Sequence, residues 1–168
     1  MYTELNDDDS IKKRLYGNRL VSSGRALIIL GVWSAIKSVI VLYMTMPYII
    51  EYVNEGKAYN ESLFKEMSIF VWGVSIIIMV AVFLIHFFVG RSAMKNGYGK
   101  KKTVLFLVFD SILVITIVFS IIVGIGEKLD VMDFASILID LTVVFACVDI
   151  LYSAIRLKSI DKKIGEKE

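Results

Sequence analysis

The sequence predicts an all-α membrane protein: four transmembrane helices in an up-down bundle with both termini on the cytoplasmic side. Three observations predict it. Hydrophobic residues make up 57% of the 168-residue chain, above the roughly 45–50% usual for soluble domains. Long apolar runs recur four times, each bounded by charge and each near the ~20 residues that a 1.5 Å rise needs to cross about 30 Å of hydrocarbon. Lys and Arg, finally, gather on one side of those runs. The same composition excludes a disordered chain, a collagen-like fibre and a disulfide-stapled module. Cys147 has no second cysteine to bridge to, and the single His86 cannot supply the ligand set of a His-based zinc site.

In chain order, residues 1–24 are a charged cytoplasmic tail rather than a cleavable signal, because Asp7, Asp8, Asp9, Lys12, Lys13 and Arg14 precede the apolar stretch. Asp9 or Ser10 can cap a helix there, with Ile11, Leu15 and Val21 as a sparse apolar side. Two forms are open: a short interfacial helix lying along the headgroups, or an extension of the first span into the cytoplasm. The transmembrane domain covers residues 25–155, with spans at about 25–48, 68–89, 104–125 and 134–155. The first ends near Pro47, the only proline, although apolar residues continue through Val53. Residues 156–168 form a second charged cytoplasmic tail.

Orientation follows from counting Lys and Arg, since positive loops stay inside. The first tail with its boundary holds five, the loop between spans two and three five, and the C-terminal tail five, against Lys57, Lys65 and Lys128 in the other two loops. Fifteen against three places both termini inside and disfavours a dual-topology dimer, which needs nearly balanced charge. With the acidic residues included, the outer loops carry a net −4 and the inner segments a net +8. The most concentrated inner stretch is Lys100, Lys101 and Lys102. Anionic lipid headgroups are its expected partners, at roughly 1 kcal/mol per basic residue. Nucleic acid is not expected, because one tight loop lacks the interleaved aromatics and arginines of such a surface. The expected place is a bacterial cytoplasmic membrane.

Ionisable residues inside a span are costly and raise a functional question by default. At 1.5 Å per residue Lys37 lies about 18 Å from the inner edge and Asp140 about 22 Å, so the two share a level. They are expected to form an intramembrane ion pair between helices one and four. Nearer the inner edge a second polar layer is expected from Arg25, His86, Asp110, Asp149 and Arg156, with Asp110 and Asp149 at ~9 Å and His86 at ~5 Å. In that layer Asp149 is expected to reach Arg156, and Asp110 to reach His86 or Arg25. Asp149 follows Asp140 by about 900° of helix rotation, which puts the two on opposite faces. The Asp149 face, with Tyr152 and Ser153, is therefore expected at a subunit interface or a wet cleft. Small residues at seven-residue spacing, Gly24, Gly31, Ser38 and Thr45, form a seam suited to close helix packing.

No HExxH, P-loop, GxSxG or cysteine pair is present, and Ser111 and Ser153 are expected to bond backbone carbonyls rather than act as nucleophiles. The expected function is that of a small polytopic membrane protein without enzyme activity and without a cofactor. It acts as a homo-oligomer or as an accessory subunit joined to a partner membrane protein, with buried charges organising helix packing. The alternative is an oligomeric ion channel or small transporter lined by Asp110, Asp149, Lys37 and Asp140; an intramembrane enzyme ranks third.

Overall fold

The computed structural model of the chain describes residues 7–53, 61–100, 104–125 and 131–165. Its elements are α1 (Asp7–Val53), α2 (Glu61–Gly97), α3 (Leu105–Ile125) and α4 (Val131–Gly165). All four helices are long and apolar enough to cross a membrane. At 1.5 Å per residue α3 is ~32 Å long, about one hydrocarbon thickness, whereas the 47-residue α1 reaches ~70 Å. Helices α1, α2 and α4 therefore project beyond the length that lipid tails cover.

No break separates an interfacial helix from the first span: α1 is continuous from Asp7. Of the anticipated apolar side, Ile11 and Leu15 are exposed, while Val21 is buried together with Leu20. These first turns are held as an extension because they dock on the end of α4. Lys13 pairs with Asp161 at 2.8 Å, and the Tyr16 ring meets Tyr152 edge-on at 6.0 Å between centroids. At the other end the helix runs through Pro47 to Val53. A proline removes one helix hydrogen bond, a loss that transmembrane helices tolerate where neighbouring groups compensate.

The contacts set the helix directions. Gly17 lies against Gly97, Gly24 against Gly90 and Gly31 against His86, so α2 runs opposite to α1. Lys13 with Asp161, Arg19 with Asp149 and Lys37 with Asp140 run α4 opposite to α1 as well. Helix α3 packs chiefly on α4 and more lightly on α2. Both ends of the described chain and the α2–α3 connection thus share one end of the molecule, called here the termini end.

Between helices in lipid there is no water to release, so close van der Waals approach and polar contacts hold the pairs together. The glycines supply that approach. A Cβ on Gly24 would sit 2.6 Å from the Gly90 carbonyl oxygen, and one on Gly90 would sit 2.5 Å from that of Gly24. The core lies toward the termini end and joins Leu20 and Leu27, Val89 and Ala93, Phe106 and Leu113, and Val143, Cys147 and Ile150. Elsewhere the surface is apolar: Phe145 is 77% exposed, Phe70 72% and Ile77 70%. Aromatic and aliphatic faces of this extent suit contact with acyl chains.

Candidate functional site

Two sets of polar groups stand inside this apolar frame. The first joins α1 to α4. Lys37 donates from Nζ to Asp140 Oδ1, with both side chains largely buried. Some 14 residues nearer the α1 N-terminus, Ser23 donates its hydroxyl to Asp149 Oδ2, and Arg19 Nη2 lies 3.2 Å from Asp149 Oδ1. The structure brings Lys37 and Asp140 together, and it gives Asp149 two partners that the sequence reading did not name.

The expectation that one chain cannot bury both aspartates is corrected. The half-turn of α4 between them carries Ser153, Ala146, Ile150, Val143 and Cys147, all buried. Asp149 and Asp140 stand at the two edges of that half, and α1 reaches both, using the long Lys37 and Arg19 side chains. Opposite faces on a helical wheel can serve one chain when the whole arc between them is packed. Nor does Asp149 reach Arg156, whose guanidinium instead lies over the Tyr152 ring, 5.4 Å from its centroid.

The remaining inner-layer residues do not form the expected cluster. Arg25 donates to the Tyr98 hydroxyl at 2.9 Å. His86 Nδ1 lies 2.8 Å from the Val82 carbonyl oxygen of its own helix, which places the proton on Nδ1. Its Nε2 is buried with no hydrogen-bond partner among the described residues. The base of the ring fits against Gly31, where a Cβ would come within 2.7 Å of the His86 Cβ. Asp110 is fully buried on α3 beside the Cys147 thiol, and neither carboxyl oxygen meets a donor in hydrogen-bond geometry among the described residues. Ser111 donates to the Leu107 carbonyl, while the buried Ser153 hydroxyl has no such partner. Among the described residues no three His, Cys, Asp or Glu side chains gather as metal ligands would.

The second set lines a cavity of about 720 Å³ at the termini end, among all four helices. Lys13 and Arg14 of α1 and Lys158 and Lys162 of α4 carry its positive charge, with Asp161 the acidic residue. Leu20, Phe106, Leu107 and Leu157 supply apolar wall. Sequence reasoning read these cations only as topology signals. It placed the headgroup contact on Lys100, Lys101 and Lys102, of which Lys101 and Lys102 lie outside the described residues and Lys100 sits 5.9 Å from the Tyr98 ring centroid. A smaller cavity of about 390 Å³ opens beyond the core, with Lys37, Ser38, Thr45, Ser75, Ser120 and Ser136 among its lining.

The chain matches no protein-family model, no curated protein and no solved structure. Its function is therefore argued from this geometry.

Proposed function

We propose that the chain is a small polytopic protein of a bacterial cytoplasmic membrane, an up-down four-helix bundle with both termini inside, working as a membrane interaction subunit without enzyme activity. The observation that carries this reading is the closure of both buried ion pairs within one chain, Lys37 with Asp140 and Arg19 with Asp149. Charges that complete one another between α1 and α4 organise packing and are not held open for a passing ion. The accessory form, joined to a partner membrane subunit and to anionic lipids, is favoured over the homo-oligomer. Two features that argued for self-association, the Asp149 face and the glycine seam, are both engaged inside the single chain.

A second reading, an oligomeric channel or small transporter, draws support from the cavities at both levels and from the unpartnered Asp110 carboxyl in the core. One preparation separates the two. Full-length protein reconstituted in nanodiscs is expected to give the mass of one chain, and in liposomes no potassium or proton flux above empty vesicles. A defined oligomer with a flux that Asp110→Asn abolishes would replace the first reading with the second.

A further inference from the structure

We propose that the cavity at the termini end is a binding site for a phosphate ester carrying an apolar body, with an anionic phospholipid as the source that its position favours. This rests on the reading of that end as the cytoplasmic membrane face. Three observations converge. The lining holds four basic side chains against one acidic one, and they come from two helices, so an anion placed between α1 and α4 meets cations from both sides. Lys13 is already engaged by Asp161 at 2.8 Å. That contact ties the two helix ends together, and Arg14 and Lys158, exposed at the mouth, face the incoming anion. A guanidinium takes two phosphate oxygens in parallel, and an ammonium takes a third as a point charge.

Beneath these heads the wall becomes apolar through Leu20, Phe106, Leu107 and Leu157, a floor that a bare inorganic anion would not use. The site also lies where a headgroup lies. Val104 and Phe106, at the start of the bilayer-length α3, are part of its wall, while α1 and α4 continue past that level. The rear of the cavity is firmly built. Gly17 and Gly97 approach so closely that a Cβ on Gly97 would sit 2.5 Å from the Gly17 carbonyl oxygen, and Gly99, at φ 71°, turns the chain out of α2. The volume of about 720 Å³ falls within the roughly 300–1,000 Å³ of small-molecule sites.

The test uses full-length protein in a non-ionic detergent and isothermal titration with four probes: dihexanoyl phosphatidylglycerol, dihexanoyl phosphatidylcholine, glycerol 3-phosphate and inorganic phosphate. Saturable binding of the phosphatidylglycerol, one per chain, is expected, with the zwitterionic lipid weaker by about tenfold or more. Arg14→Gln and Lys158→Gln should each weaken it several-fold, and together by about tenfold or more. Because both residues are exposed, the single variants keep the result readable even where the double folds poorly. Arg91→Gln with Lys95→Gln makes the same charge change outside the cavity and should leave binding within about twofold. Glycerol 3-phosphate binding as tightly as the lipid would support the phosphate site and assign it to a soluble ester. Equal binding of both lipids, equal loss in the Arg91 and Lys95 control, or unchanged binding in the Arg14 and Lys158 singles would overturn the site. Such a failure would leave the membrane orientation standing, since thiol labelling reads that separately.

Discussion

Lys37 and Asp140 show how far depth alone reaches at the scale of a residue. Both sit well inside their spans, and a rise of 1.5 Å per residue puts them on one level before any contact is known. Removing one partner strands a charge, whereas Lys37→Met with Asp140→Leu removes both. Each single substitution is therefore expected to destabilise the protein more than the double, with a coupling of about 1–2 kcal/mol in a detergent-titration unfolding assay. Simple additivity of the two losses would show that the pair carries no coupling. Asp149 was harder to read. Its partners Ser23 and Arg19 lie four residues apart on one face of α1, and that signal becomes visible only if residues 10–24 are taken as part of the first helix.

At the scale of the element, α1 and α2 meet along a line of glycines, Gly17, Gly24 and Gly31 facing Gly97, Gly90 and His86. The seven-residue run in α1 was legible from Gly24 onward. The same interval between Gly90 and Gly97 in α2 was present in the sequence but was not matched to it. Gly90→Ala would force a Cβ to 2.5 Å from the Gly24 carbonyl oxygen and 2.7 Å from Ile28 Cγ1, an overpacking expected to cost about 1–3 kcal/mol. Gly73, on the same helix, has nothing within 4 Å of its added Cβ. Gly73→Ala is expected to be neutral or to stabilise by up to about 1 kcal/mol through the better helix propensity of alanine. Thermal unfolding of the two variants in one detergent compares them directly, and equal effects would mean that the seam does not bear on stability.

For the whole molecule the orientation prediction follows from fifteen basic residues against three. In a Cys147→Ser background, Lys57→Cys is expected to react with an impermeant thiol reagent added to intact cells, and Tyr98→Cys only after lysis. Labelling of both in intact cells would reject a single orientation. The fold agrees with one feature that this orientation requires, since both ends of the described chain and the α2–α3 connection lie at the same end. That end also carries the basic cavity, so the charge asymmetry that directs insertion and the charge that would hold a phosphate ester occupy the same place.

Composition and the helical rise were enough to determine that this chain has four membrane-length helices, where they lie to within a few residues, and which buried charges share a depth. These properties depend on distance along the chain, which a sequence states directly. Rotation, crossing and the width of the packed arc were decided only by the tertiary structure, because they depend on which neighbours a helix acquires. Hence the sequence alone left Asp149 facing outward, whereas the packed half-turn of α4 turns it toward Arg19 and Ser23. The cavity, likewise, draws its cations from positions about 145 residues apart. Their convergence is a consequence of α1 and α4 running in opposite directions past the end of the shorter α3, and no local pattern in either segment encodes it.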